Sequence, residues 1–167
     1  MKTKHQQRIE QFMTLAGQEV PEKPIIPDDE TRILRAKLIL EEALETIEAL
    51  GVDVDLVEFD GVERKGKEIS RNSLFDYNVE LSFEARGQCN IVEVVDGCID
   101  VSVVTRGTLS AFGVDDKKLL KEVDKNNLAK FGPGGYRRDD GKWCKPENHQ
   151  PPDIKGILKE QGYEFGD

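Results

Sequence analysis

The feature that most constrains this chain is a long apolar run with acidic residues at regular intervals, NIVEVVDGCIDVSVVTRGTLSAFG, residues 90–113. On a helix, Glu93, Asp96 and Asp100 fall within an arc of about 60°. Almost every other position is apolar or small, and a helix that is apolar all round is a buried helix. Ionised carboxylates are costly to bury without cations or pairing groups. The pattern predicts a buried helix whose acidic line faces a cation; the alternative is a polar stripe at the edge of a core.

A second acidic helix is predicted earlier in the chain. The stretch LILEEALETIEAL, residues 38–50, places Glu41, Glu42 and Glu45 within about 100° of one another, opposite the main apolar face. In the alternative interpretation, Glu41 pairs with Lys37 on a solvated face. Two helices that each carry an acidic triplet favour oxygen coordination of a hard divalent cation, Mg²⁺ or Mn²⁺.

Other common metal and nucleotide motifs do not fit. The two histidines, His5 and His149, lie outside both acidic helices, which argues against a di-iron carboxylate site. The acidic stretch DVDLVEFDG has Val57 and Glu58 where an EF-hand needs a ligand and a glycine. No stretch has the spacing of a phosphate-binding P-loop.

The composition narrows the class of protein. The formal net charge of -9 argues against a protein that coats nucleic acid, although a metal can mediate contact with a small phosphorylated ligand. There is no apolar run of about 18 residues, and the first residues lack the apolar core of a signal peptide. An odd number of cysteines favours free thiols. We therefore expect a cytoplasmic protein that binds neither nucleic acid nor membranes.

Periodicity and turn residues place the helices along the chain. Helices are predicted over about residues 4–16, 28–51, 90–112, 115–130 and 153–161. Asp28 or Asp29 is predicted to cap the second helix and Asp115 the fourth. Gly51 and Gly113 are predicted to end the helices before them.

The remaining segments define the domain layout. Residues about 52–86 alternate apolar and polar side chains on both sides of a polar RKGK turn, which predicts two short strands in a hairpin-like insertion at about 52–88. Residues about 131–167 are rich in glycine, proline and charge and are predicted to be mostly irregular. The expected fold is therefore a single all-α domain over residues 1–167, a helical bundle with a small β-hairpin-like insertion.

The acidic residues also carry a family resemblance. Glu41-Glu42-x-x-Glu45 followed by Glu93-x-x-Asp96 resembles the EExxE…ExxD signature of the all-α nucleoside triphosphate pyrophosphohydrolases, which include MazG, the phosphoribosyl-ATP pyrophosphohydrolases and the dimeric dUTPases. The blocks FMTLAGQEVPEKPIIPDDETRILRAKLILEE, EVVDGCIDVSVVTRGTLSAFGVD, EVDKNNLAKFG and DGKWCKPENHQPPDI resemble a MazG-like subgroup. A MazG-like helical bundle is implied.

The chain departs from the family pattern in two places. Gly97 stands in the turn before Asp100, where the family often repeats its acidic motif, so the role of Asp100 is the least defined. In addition, 47 residues separate Glu45 from Glu93, more than a helix-to-helix loop needs. The predicted hairpin-like insertion fills that gap.

The resemblance implies cleavage of a nucleoside triphosphate between its α and β phosphates, giving a nucleoside monophosphate and pyrophosphate. It implies Mg²⁺, or Mn²⁺, held by carboxylates, and a homodimer or homotetramer. Glu41 would orient the attacking water. The metal ligands would be Glu42, Glu45, Glu93 and Asp96, with Asp100 as a further candidate. Candidates for substrate binding are Asn127 and Lys130, which match a family position associated with the nucleotide, and Lys142, Lys145 and Arg35.

Two alternatives stay open at this point. One is a nucleotide- or metal-binding regulator that has the fold without turnover. The other is a structural helical oligomer with an acidic surface. Pyrophosphate release distinguishes the enzyme from the first, and a thermal response to Mg²⁺ plus nucleotide distinguishes it from the second.

Overall fold

The computed structural model describes residues 1–56, 81–85, 87–139 and 141–166. Within these ranges the chain is mainly helical, with two small antiparallel sheets, which confirms the predicted fold class. The helices are α1 (Lys4–Leu15), α2 (Asp29–Ala49), α3 (Ile91–Ala111), α4 (Asp116–Ala129) and α5 (Ile154–Glu160). The strands are β1 (Val52–Leu56), β2 (Leu81–Ala85), β3 (Tyr136–Arg137) and β4 (Trp143–Cys144).

The helix boundaries follow capping chemistry. Asp28 caps α2, because its Oδ1 accepts a hydrogen bond from the backbone N–H of Thr31 at 2.8 Å. Gly113 follows α3 with a φ of 67°, a left-handed conformation that glycine adopts without strain. Asp115 does hold the N-cap position of α4, but the prediction that its side chain caps the helix is wrong. Its carboxylate instead pairs with the amino group of Met1, which draws it away from the helix.

The insertion begins and ends as an antiparallel pair. β1 pairs with β2 from Val52 opposite Ala85 to Leu56 opposite Leu81. This confirms the outer part of the predicted hairpin-like insertion. The predicted RKGK turn lies in residues 57–80, outside the described residues.

The chain forms two compact units. The first contains Met1–Ala36 and Val103–Asp167, and the second contains Lys37–Ser102. The core of the first unit is small, with Val20 and Val103 packed against the buried side chains of Ile9, Met13 and Ala111. Helical spacing on α1 puts its two core residues on one face, where they meet the end of α3.

A buried polar network joins α1 to the start of α4 within the first unit. The fully buried Gln6 donates through Nε2 to Ser110 Oγ at 3.1 Å and to the carbonyl of Val114 at 2.8 Å, and its Oε1 accepts from the backbone N–H of Asp116 at 2.9 Å. The buried Asp116 carboxylate accepts from Thr3 N at 2.8 Å and from Thr3 Oγ1 at 2.6 Å. Because its polar atoms have partners, this network fixes one docking position for α1.

The C-terminal tail, residues 131–167, contains more regular secondary structure than its composition predicts. β3 and β4 pair antiparallel, with Tyr136 opposite Cys144 and Arg137 opposite Trp143. The short predicted helix is present as α5, where Asp153 Oδ1 accepts from the backbone N–H of Gly156 at 2.8 Å. The two-residue strands were not predicted, because runs this short carry no readable alternation.

The apolar side of α3 is exposed, which makes the prediction of a buried helix wrong for the chain by itself. Ile91, Val92, Val95 and Ile99 are all more than half exposed, and they share an arc of about 100° that begins beside Asp96 and reaches the side opposite the acidic line. The side of α2 that carries Ile33, Leu40 and Leu44 is also about half exposed. Among the described residues, no helix has the length and apolar character needed to cross a membrane.

Candidate functional site

The second unit holds α2 and α3 together at two places. Where α2 ends, the backbone N–H of Asn90 donates to the carbonyl of Ala49 at 3.0 Å. Farther along, Gly97 lies against Thr46 so closely that a Cβ at Gly97 would stand 2.5 Å from Thr46 Oγ1 and 3.2 Å from its Cα. Only glycine permits this approach. The hydroxyl of Thr46 cannot readily turn aside, since it donates to the carbonyl of Glu42 at 2.7 Å.

This close approach brings the two acidic lines into electrostatic contact at Glu42. Burial raises the pKa of the Glu42 carboxyl, and the charges of Asp100, Glu45, Glu41 and Asp96 raise it further, in that order of effect. Asp100 and Asp96 come from α3, whereas the other two neighbours share α2 with Glu42. Like charges near a partly buried carboxylate disfavour its ionised form. The charged neighbours of Glu42 thus come from both helices, and the metal-ligand roles of these acids stay predictions.

The six predicted acids differ in exposure. Glu42 and Asp100 are half-buried, and the others, Glu41, Glu45, Glu93 and Asp96, are exposed. Asp100, whose role the family pattern left least defined, is the strongest charged neighbour of Glu42. Sequence spacing alone could not rank these residues.

The donor chemistry of this cluster fits a hard divalent cation. The donors are carboxylate oxygens, and their mutual repulsion is what a cation would relieve. In the described part of the chain, however, no three acid, histidine or cysteine side chains converge closely enough to hold one ion. The exposed members must rotate toward a common point to ligate a metal, and their exposure leaves them room to do so.

Two predicted substrate-binding residues contact each other. Lys130 Nζ donates to Asn127 Oδ1 at 2.7 Å at the end of α4. Lys142 and Lys145 are exposed and flank β4, where they border Trp143 and Cys144. These residues all belong to the first unit.

Arg35, the remaining predicted substrate-binding residue, is buried in the first unit. It is 6% exposed, and its guanidinium packs against Gly107 of α3, where an added Cβ would stand 3.2 Å from Nη1. Nη2 donates to Gln18 Oε1 at 2.6 Å, and Nε has no hydrogen-bond partner among the described residues. Burial lowers the pKa of this guanidinium. A surface position was the ordinary expectation for an arginine, and nothing in the sequence around it signals this burial.

Sequence reasoning missed the importance of two features. The first is Gly97, which departs from the family pattern and, as a glycine within an acidic line on a helix, signals a close helix contact. The second is an aromatic pair in the tail, Phe131 and Trp143, whose ring centroids are 4.8 Å apart. Eleven residues separate this pair, so no local pattern reveals the contact.

Comparison with known families supports the interpretation of the acidic helices. The profile of the phosphoribosyl-ATP pyrophosphohydrolase family matches residues 9–127, well over half of the chain. The chain belongs to this family. The matched range includes both acidic helices and the six predicted acids, and it ends at Asn127. Family membership supports a hydrolase that cleaves a pyrophosphate bond of a nucleotide. A comparison with curated proteins gives no match.

Proposed function

We propose that the protein hydrolyses a nucleoside triphosphate between its α and β phosphates, with Mg²⁺ or Mn²⁺, to give a nucleoside monophosphate and pyrophosphate. The observation that carries the proposal is the close approach of α2 and α3 at Thr46 and Gly97, which brings Glu42 beside carboxylates from both acidic helices. A merely solvated acidic surface gives no reason for carboxylates of two helices to lie close together around Glu42. A substrate that carries several negative charges can approach such a cluster only together with cations.

The acidic cluster supplies the reaction with ligands and a base. Glu42, Glu45, Glu93 and Asp96 would hold the cation, with Asp100 beside Glu42 as a fifth oxygen donor. When bound, the cation neutralises phosphate charge and lowers the pKa of a coordinated water.

Glu41 is the proposed general base. It is exposed at the edge of the cluster, where its carboxylate is accessible to a water molecule. It would accept the proton that the attacking water loses as that water reaches phosphorus.

Basic and amide groups complete the proposed substrate contacts. Asn127 and Lys130 already share a hydrogen bond, which orients the ammonium group at the end of α4. Lys142 and Lys145 add exposed positive charge in the tail. Arg35 is also a candidate, because its buried Nε has no hydrogen-bond partner in the part of the chain that the structure describes.

We further propose a homodimer or homotetramer in the cytoplasm. The apolar sides of α2 and α3 carry large side chains that are about half exposed or more, and an exposed apolar surface of this kind marks an interaction site. A second copy would bury them and make α3 the interior helix that its sequence describes. Cys89, Cys98 and Cys144 are free thiols, in keeping with a reducing compartment.

The test is a panel of nucleoside triphosphates, with phosphoribosyl-ATP included, incubated with Mg²⁺ while monophosphate and pyrophosphate are both measured. We expect the two products in equal amounts, and we expect EDTA to abolish turnover. Nucleoside diphosphate with orthophosphate as the main products would overturn the proposed bond. Light scattering at micromolar protein tests the assembly, where an active monomer would contradict it.

A further inference from the structure

The tail carries an exposed aromatic surface that the acidic site does not explain. We define the aromatic platform as Phe131 and Trp143, whose rings lie 4.8 Å apart and are tilted by 40°. Phe131 is 63% exposed and Trp143 is 37% exposed. Two large apolar rings in contact, yet open to solvent, have no role in the small core of the first unit.

The platform is held in one orientation. Trp143 Nε1 donates to the carbonyl of Lys130 at 2.7 Å, which fixes the indole against the end of α4. Gly135 passes so close beneath that an added Cβ would stand 3.0 Å from this same nitrogen. The hairpin is closed beyond the ring by Arg138 N, which donates to the carbonyl of Lys142 at 2.9 Å. An aromatic surface that is already held in place loses little entropy when it binds a ligand.

The charge around the platform is opposite to that of the chain. Residues 130–145 contain five lysines and arginines and two aspartates, a net charge of +3 in a chain whose net charge is -9. Aromatic rings among cations are the combination that binds nucleotides, because every base has a π-face and every phosphate is negative. The segment lies beyond residue 127, where the family match ends.

We propose that the aromatic platform stacks the nucleobase of a nucleoside triphosphate, while the cations of residues 130–145 attract its phosphates. The inference rests on the proposed function for the choice of ligand.

The experiment uses Trp143, the single tryptophan of the chain, as its own reporter. The full-length protein is titrated with the α,β-methylene analogues of ATP, GTP, CTP and UTP in Mg²⁺, and tryptophan fluorescence is recorded. At least one analogue is expected to change the emission, whereas inorganic tripolyphosphate is expected not to. No response to any analogue, or an equal response to tripolyphosphate, overturns the proposal.

A matched pair of variants sharpens the test. Phe131→Leu and Phe12→Leu remove rings that are both 63% exposed in the first unit. Phe131→Leu is expected to raise the Kd of the responding analogue about tenfold, a typical value for the loss of one stacking partner. Phe12→Leu is expected to leave it unchanged. Equal Kd values for the two variants overturn the proposal, and so does a changed oligomeric mass for Phe131→Leu alone, since the platform would then be an interface between copies.

Pyrophosphate release is measured separately, on the same protein preparations, with the parent hydrolysable nucleoside triphosphates in place of the methylene analogues. If pyrophosphate is released but the fluorescence response does not depend on the base, the proposal for the aromatic platform fails and the proposed function stands. If the fluorescence response depends on the base but no pyrophosphate is released, the proposed function fails and the proposal for the aromatic platform stands.

Discussion

Acidic side chains lie at one helix contact in each of the two units, but their surroundings are opposite in charge. Asp116, in the first unit, is fully buried, accepts two hydrogen bonds from Thr3 and faces Arg106 Nε at 3.6 Å. Glu42, in the second unit, is half-buried, and the described groups that raise its pKa by charge are four other carboxylates. A carboxylate surrounded by donors holds a structure together. A carboxylate surrounded by carboxylates weakens it until a cation is bound.

The largest effect should come from removing the Glu42 charge. Glu42→Gln is expected to lower turnover about 100-fold or more, because a proposed metal ligand is lost. The same change should increase the free energy of unfolding of the metal-free protein, because it relieves repulsion. Pyrophosphate release and urea denaturation in EDTA measure the two effects.

Glu48→Gln is the matched control for this change. Glu48 is exposed on the same helix, and its substitution should change stability by no more than about 0.5 kcal/mol and leave turnover intact. If Glu42→Gln behaves as Glu48→Gln does, the acidic cluster is ordinary surface and the contrast with Asp116 disappears.

The next largest effect should come from Asp116→Asn. The amide N–H₂ of the new asparagine would face a Thr3 group that also donates, so one hydrogen bond is lost. The substitution also removes the negative charge that faces Arg106. Together these losses should destabilise the protein by about 3 kcal/mol. Denaturation in urea measures it, with Asp124→Asn on the exposed surface of the same helix as control. A loss no larger than that of the control would show that the buried network is not what docks α1.

A smaller effect is expected from Gly97→Ala. The added methyl would stand 2.5 Å from Thr46 Oγ1 and 3.2 Å from its Cα, so α2 and α3 must move apart. We expect Mg²⁺ affinity to fall about tenfold with helical content unchanged, because metal sites tolerate little displacement of their ligands. Isothermal titration with Mg²⁺ measures it.

A second-site change tests the cause. In a Thr46→Ala background the nearest clash is absent, so the Gly97→Ala penalty should shrink. An undiminished penalty would mean that the methyl acts elsewhere than at this contact.

The smallest effect is a pH dependence. Burial and its acidic neighbours raise the pKa of Glu42 in the folded, metal-free protein. Stability from this group is therefore fully present below the unfolded glutamate pKa of about 4.3 and is lost as the pH rises through the raised folded-state pKa. Denaturation across this pH window should show a shallower decline for Glu42→Gln than for the wild type. Parallel curves would count against the crowding.

The sequence predicted the helices well because each carries its own signals. Apolar periodicity, Asp28 at the start of α2 and Gly113 after α3 are local features, and local features determine where a helix begins and ends. Asp115 shows the limit, because its carboxylate is taken by a group more than 100 residues away. Nothing near a residue in sequence reveals such a partner.

Some features of the candidate site could likewise be predicted from local spacing, whereas others depend on distant parts of the chain. Helical spacing put the acids of α2 on one arc and those of α3 on another, and the structure brings Glu42 close to Asp100 and Asp96. The metal-ligand and base roles stay predictions, as do the substrate contacts of Asn127, Lys130, Lys142 and Lys145. The burial of Arg35 and the exposure of the apolar side of α3 depend on packing between distant segments, or on a second copy, which spacing along one helix does not encode.

The two glycines at the base of the insertion have a consequence for how this protein can change. Gly51, with a φ of 72°, touches Gly87, whose N–H donates to the Gly51 carbonyl at 3.0 Å, and a Cβ on Gly51 would stand 2.7 Å from the Gly87 carbonyl oxygen. This contact brings the two ends of the insertion together before β1 begins. The entropy cost of closing the loop is therefore met at the two glycines, and the contact between α2 and α3 does not have to offset it. Between these glycines the chain offers a permissive site, where evolution or an engineer can exchange whole segments while the spacing of α2 and α3 is kept.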